Sequence, residues 1–167
     1  MNKNIDCNKV SFRSKLEMKD KVLIAQITGS SKCFSEKEIS IAIELVEERL
    51  AKGDKSGYYF RFIEYTGEIL GYICFGPDLG TEGSYHIYWI AVDNEYRNLG
   101  IGRRLLQEAE EAIRKMGGCH IYIETSSRDC YIPARSFYER NGYEKEAVLR
   151  DFYGEGDDKA IYSKRIV

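Results

Sequence analysis

The chain has 167 residues, 43% of them hydrophobic and 31% charged, which suits one compact domain with a buried core over residues 1–167. A net charge of −2 and an isoelectric point near 5.8 exclude a nucleic-acid binder that depends on a basic surface excess, and leave a charged small molecule or another protein as the expected partner. No apolar run is long enough to cross a bilayer and the opening MNKNIDCNKV lacks the apolar core of a signal peptide, so a cytoplasmic protein with no membrane association is expected.

Asp20 precedes the apolar VLIAQI and is placed as the cap of a short helix that stops at Gly29. Ser35 and Glu38 then form an S-x-x-E capping box, and Ile39, Ile43, Val46 and Leu50 recur on one face of the helix that follows, up to Gly53. The alternating YYFRFIEY, Tyr58 to Tyr65, turns at Thr66-Gly67 into ILGYICF, which makes a β-hairpin. Beyond a loop from Gly76 to Gly83, SYHIYWIAV reads as a strand from Ser84. Its alternation places Ser84, His86, Tyr88 and Ile90 on one face and Tyr85, Ile87, Trp89 and Ala91 on the other.

The next segment, EYRNLGIGRRLLQEAEEAIRKMGG, opens with Gly100 and Gly102 ahead of an amphipathic helix. Leu105, Leu106, Ala109, Ala112, Ile113 and Met116 form the helix's apolar stripe, and Gly117-Gly118 ends it. The strand CHIYIETS follows, then a helix beginning near Pro133 and ending at Asn141-Gly142, then YEKEAVLRDFY and KAIYSKRIV as closing strands around GEGDD. The strand, glycine turn, helix and strand from Ser84 to Ser126 imply one parallel pair inside an otherwise hairpin-connected sheet, hence a mixed α/β (α+β) fold.

Five cysteines, Cys7, Cys33, Cys74, Cys119 and Cys130, contain no C-x-x-C pair and are odd in number. Free thiols are expected, with neither a disulfide framework nor a zinc site, and His86 and His120 are too scattered to complete a metal cluster.

A glycine turn before a helix is either punctuation or an anion cradle. Arg103-Arg104 stand where a nucleotide P-loop needs Lys-Ser, and Leu105 stands where a dinucleotide fingerprint needs its third glycine. What remains is a helix start whose exposed amides and dipole favour a diphosphate, with Arg97, Arg103 or Arg104 adding charge.

Arg97-Asn98-Leu99-Gly100-Ile101-Gly102, between the strand YWIAV and the amphipathic helix, resembles the acetyl-CoA pyrophosphate loop of the GNAT N-acetyltransferases. Downstream, Ala134, Phe137, Tyr138 and Asn141-Gly142-Tyr143 resemble that family's A-x-x-F-Y-x-x-x-G-[FY] segment, in the right order and separation. The resemblance covers roughly Ser84 to Tyr143. It implies a mostly antiparallel sheet flanked by helices, with its parallel pair splayed at the acetyl-CoA site. Main-chain groups of Ile90, Ala91 and Val92 would hold the pantetheine arm, and amides from Asn98 to Gly102, through Leu99, Gly100 and Ile101, would hold the pyrophosphate. Tyr131 stands where the family often has an asparagine on the cofactor.

The implied activity is direct transfer of an acetyl group from acetyl-CoA to a primary amine, small or peptidic, without a metal or a protein nucleophile. Such a transfer needs a base for the amine and an acid for the departing thiolate. Tyr138 matches the family's acid, and His86 occupies the strand position where some members carry a basic glutamate, with Glu124 as its rival and Glu64 and Glu82 as outsiders. The acidic turn from Asp151 to Asp158 reads as a solvated hairpin or as a lip that attracts a cationic acceptor, and Tyr58, Tyr59, Tyr65, Tyr72, Tyr131 and Tyr153 as packing or as aromatic walls. The competing reading is a non-catalytic acyl-CoA sensor or partner module. The sequence leaves open a homodimer, the acceptor's identity and the acyl-chain preference.

Overall fold

The computed structural model describes residues 5, 6 and 9–166, so Cys7 lies outside the described residues. In chain order the elements are β1 (Ser11–Arg13), α1 (Asp20–Ser30), α2 (Glu36–Lys52), β2 (Tyr59–Tyr65), β3 (Glu68–Pro77), β4 (Ser84–Val92), α3 (Ile101–Lys115), β5 (His120–Ser126), α4 (Ile132–Arg140), β6 (Glu144–Gly154) and β7 (Asp157–Arg165). The strands form one seven-stranded sheet in the order β1-β2-β3-β4-β5-β7-β6. Every pairing is antiparallel except β4 with β5, so the expected mixed sheet with its parallel pair is present.

Helices cover both faces. On one, Ile24 and Ile27 of α1 and Ala42 and Val46 of α2 bury against Phe60, Phe62 and Tyr72. On the other, Ile101, Leu105, Leu106, Ala109 and Ile113 of α3 bury against Ile73, Phe75, Ile87 and Ile121. The stripe expected on α3 is therefore its core face, apart from Met116, which sits beyond the last turn and is 38% exposed. The capping box at Ser35 and Glu38 is formed, with each side chain bonded to the other residue's backbone amide.

Asp20 does not cap α1. Lys19 holds the cap position, and the Asp20 carboxylate, fully buried, accepts from Arg13 Nη1 and Nη2 at 2.9 Å and from the Glu17 amide at 2.7 Å. A single cap residue cannot be told by sequence from a long-range ion-pair partner, because β1 supplies the arginine.

Alternation along β4 breaks at Tyr88. Ile87 pairs with Phe75 and Trp89 with Cys74, so Tyr88 is an extra residue that opposes nothing on β3. A bulge of this kind reverses which face later side chains take. Tyr85 and Ile87 pack on the α3 side and Trp89 and Ala91 on the α1–α2 side, while Ile90 and Val92 return to the α3 side. The single apolar face expected through Tyr85, Ile87, Trp89 and Ala91 is thus split in two.

The free thiols expected at Cys33 and Cys130 are instead joined in a disulfide across 97 residues, whereas Cys74 is a buried free thiol and Cys119 an exposed one. No local spacing signals that pair, since only the fold brings the α1–α2 loop beside the segment ahead of α4.

Gly71 of β3 marks a close approach. A Cβ there would lie 2.7 Å from the Ala91 carbonyl oxygen, a main-chain atom that cannot swing away. Gly71→Ala is expected to destabilise the fold by about 1–3 kcal/mol, the usual range for overpacking, as read from the urea unfolding midpoint.

Candidate active site

The parallel pairing of β4 with β5 lasts only from Ser84 opposite His120 to Ile87 opposite Ile123. Beyond it β4 stays paired with β3 as far as Val92, and β5 stays paired with β7 as far as Ser126, so the two strands diverge. The opening is a cleft of about 1450 Å³. Its walls come from β4, the turn before α3, α4, the α1–α2 loop and the segment after β5.

At one end the edge of β4 from Tyr88 to Val92 has no strand on its β5 side, which leaves main-chain groups of Ile90, Ala91 and Val92 to an extended ligand. The chain then turns into α3. Asn98 (φ 62°) and Gly100 (φ 78°) are both left-handed, and Gly100 is the N-cap of α3. No side chain caps that helix and its first turn holds no acidic residue, so its positive end is left to the cleft. Nothing lies within 4 Å of where a Gly100 Cβ would be, so the glycine keeps open space at the helix entrance. Arg97, Arg103 and Arg140 line the same end. The donors and charges present fit a diphosphate. Asn98, Ile101 and Gly102 also line it, whereas the Leu99 side chain packs against the core.

The proton-transfer candidates line the same cleft. Tyr138 projects from α4 among Phe137, Tyr143 and Tyr162, is 6% exposed, and has its phenol pushed well up by burial, so it stays protonated. His86 and Glu124, weighed as rivals, are neighbours: Nε2 of His86 lies 3.9 Å from Glu124 Oε1. Alternation on β5 puts Glu124 on the same face as Tyr122, whose ring packs against His86. The second Glu124 oxygen is held at 2.6 Å by Lys159 of β7.

Asp78, which sequence reasoning left inside an undefined loop, stands 3.5 Å from His86 Nδ1. Its amide donates to the Ser84 carbonyl at 2.8 Å, which anchors it at the foot of β4. The only advance signal was the hairpin itself, which must return β4 beside the end of β3. Glu64 lies elsewhere, on β2 in an ion pair with Arg13.

Tyr131 lines the cleft but turns its hydroxyl to Glu38 Oε1 at 2.9 Å, and burial followed by that carboxylate raises its pKa. In the acidic turn, Asp151 accepts from the Gly156 amide and Asp158 from the Asp151 amide, so both serve the hairpin. Asp157 is the acidic residue of that turn that lines the cleft, beside Ser126 and Arg128. Of the six tyrosines considered as aromatic walls, Tyr131 and Tyr153 line the cleft, whereas Tyr72 is buried against Thr28. Among the described residues no group of three or more His, Cys, Asp or Glu is placed to hold a metal ion, and no helix is long and apolar enough to cross a membrane.

The sequence model of the acetyltransferase (GNAT) family matches residues 26–143. An uncharacterised N-acetyltransferase of Methanocaldococcus jannaschii is 35% identical over 106 residues, a match that spans 64% of this chain and 65% of that relative's length. An N-alpha-acetyltransferase of Sulfurisphaera tokodaii is 33% identical over 135 residues, covering 66% of this chain and 78% of the relative. A crystal structure from Desulfovibrio desulfuricans, assigned to the GNAT acetyltransferases, superposes with a TM-score of 0.92 at 41% identity, over 95% of this chain and 99% of that one.

Gly100→Val tests the helix entrance. A β-branched residue at this positive φ costs about 1–2 kcal/mol of stability and fills the space facing the uncapped helix. CoA binding, measured by calorimetry at a temperature where the variant is still folded, is expected to weaken about tenfold, the equivalent of about 1.4 kcal/mol at a helix N-terminus.

Proposed function

This chain belongs to the acetyltransferase (GNAT) family, and on that premise we propose that it moves an acetyl group from acetyl-CoA to a primary amine, directly and within a ternary complex. One observation carries the reading: an uncapped helix start, an unpaired strand edge and a set of proton donors and acceptors line one cleft at the splay of β4 and β5. Acetyl-CoA would supply the activated acyl group, its diphosphate at the start of α3 and its pantetheine along Ile90 to Val92.

The acceptor ammonium must lose a proton before it can attack. His86 takes that proton at Nε2, beside Glu124, while Asp78 faces Nδ1 and fixes which way the ring points. Glu124 is tied to Lys159 and acts through its other oxygen, orienting the amine or a bridging water. The Tyr138 hydroxyl holds a proton at the α4 side of the cleft and gives it to the leaving sulfur. Burial raises this phenol, and the same dry surroundings raise the basicity of a thiolate, so the two remain matched.

Asp78 and the rings of Tyr88, Trp89 and Tyr153 favour an acceptor that carries positive charge, Glu124 and Asp157 being already paired with Lys159 and Arg128. The name of the Sulfurisphaera tokodaii relative puts the α-amine of a peptide first among the amines to be tried.

The test is chromatographic measurement of CoA released from acetyl-CoA with pooled polyamines, amino acids, aminoglycosides and short peptides. Release that depends on one pool is expected. Bound acetyl-CoA with no release from any pool would leave a sensor module instead. Tyr138→Phe should retain CoA affinity and lose turnover by about 10²-fold or more.

The pH profile gives a second check. An acid must be protonated, and a raised phenol pKa keeps it so, hence no alkaline fall in rate is expected below about pH 10, the ordinary tyrosine value. A base must be unprotonated, so the rate rises with pH through its titration, and His86→Gln should flatten that acidic limb. Survival of the limb in His86→Gln and its loss in Glu124→Gln would transfer the base role to the carboxylate.

A further inference from the structure

The Cys33–Cys130 disulfide is used neither by the proton transfers nor by the cofactor contacts. Cys33 lies in the loop between α1 and α2 and Cys130 in the single helical turn ahead of α4, with Cα atoms 5.8 Å apart, and both residues line the cleft. Aromatic and charged contacts surround the bond. Phe34 packs 5.1 Å from Trp89 of β4 and 5.8 Å from the Tyr131 ring. Tyr131 donates to Glu38 on α2, and Arg128 stands 3.7 Å from that carboxylate and over the Tyr131 ring. The disulfide is thus the covalent member of a strap that ties the α1–α2 loop to the far wall of the cleft, next to Trp89.

The loop that carries Cys33 has little else to hold it. Residues 31–35 include no buried side chain, and Lys32 sits at a positive φ of 55°. The helices on either side, by contrast, are seated in the core through Ile24, Ile27, Ala42 and Val46. Breaking the sulfur–sulfur bond therefore releases the strap and leaves both helices in place. The contacts that still join the walls include the Tyr131–Glu38 hydrogen bond, the packing of Phe34 on Trp89 and Tyr131, and the half-exposed Arg128–Glu38 ion pair, each a weak constraint.

We propose that Cys33 and Cys130 form a reversible thiol–disulfide exchange site, taking a dithiol as its reaction partner, whose oxidation state sets how firmly the acceptor end of the cleft is walled. The assignment of this end to the acceptor rests on the acyl-transfer reading, and the exchange chemistry does not. Cys130 is the more exposed of the two residues. A thiolate of the dithiol bonds to Cys130 Sγ, the Cys33–Cys130 bond breaks, and the electron pair leaves on Cys33 Sγ, which takes a proton. The dithiol's second thiolate then displaces Cys130 Sγ, which takes the other proton. The two cysteines gain two electrons and the dithiol becomes a disulfide. An external disulfide of the same class runs the sequence backwards. In the oxidised form Phe34 and Tyr131 are held as a preformed wall, whereas the reduced form must order that loop each time an acceptor binds.

Trp89 is the chain's one tryptophan and lies against Phe34, so its fluorescence reports the strap without any need for turnover. The experiment compares wild type after air oxidation, wild type after treatment with dithiothreitol, and the Cys33→Ser/Cys130→Ser variant. Intact mass after alkylation in denaturant should show two fewer alkyl groups in the oxidised protein than in the reduced one. Reduction should raise acrylamide quenching of Trp89 and trypsin cleavage after Lys32, and the double-serine variant should match the reduced protein whether or not reductant is present. Once an acceptor is identified, its KM should rise about fivefold or more on reduction, with CoA affinity unchanged.

Equal alkylation before and after reduction would overturn the exchange site. A disulfide that forms while Trp89 quenching and cleavage stay the same would overturn the strap. Altered quenching with an unchanged acceptor KM would separate the strap from acceptor binding and sink that part of the proposal. Absence of turnover with any amine leaves the mass, fluorescence and proteolysis outcomes to decide, so failure of the acyl-transfer reading is told apart from failure of this one.

Discussion

Everything in this molecule follows from the short life of one strand pairing. β4 and β5 run parallel for four residues and then part, each keeping its antiparallel partner on the outer side. A parallel pair needs a crossover, and the crossover here is α3. The end of β4, the turn that follows and the start of α3 are therefore obliged to lie at the mouth of the gap. The bulge at Tyr88 sits one residue beyond the last parallel pair. It bends β4 away and turns Ile90 and Val92 toward the α3 side, while Trp89 turns to the opposite wall.

The gap is chemically graded. At the α3 end, an uncapped helix start, left-handed Gly100 and three arginines present donors and positive charge. At the other end, Asp78, Glu124 and Asp157 present carboxylates among aromatic rings. Between them stand His86, which can accept a proton, and Tyr138, which burial keeps protonated. His86 lies among charged neighbours and Tyr138 among rings, so the two titratable groups meet opposite surroundings on two walls of one cleft.

The disulfide adds a different kind of constraint. Hydrogen bonds and ring contacts between the α1–α2 loop and the segment ahead of α4 are individually weak and can be exchanged with water, whereas a covalent bond is not lost until a thiol attacks it. It lies at the cleft rim rather than in the core, between two walls of the site.

The sequence by itself determined most of the elements and the glycine turn that opens α3, because both depend on neighbours in the chain. Capping at Ser35 and Glu38, the stripe from Leu105 to Ile113, and the glycines that open α3 act within a turn or two of helix, and the parallel unit from Ser84 to Ser126 follows from their order. Tertiary structure alone decided the rest. Alternation cannot announce a bulge, so the faces it assigns to β4 hold only as far as Ile87. Cysteine counting cannot see that residues 97 positions apart will meet, and Asp20 could not show that its partner was Arg13. His86 and Glu124 lie on different strands. The register of β4 against β5 made them neighbours, and the return of the β3–β4 hairpin added Asp78. Local order encodes what a segment becomes, but which side chains share a site depends on strand register and on where the strands separate, and those are set by the packing of the whole sheet between its helices.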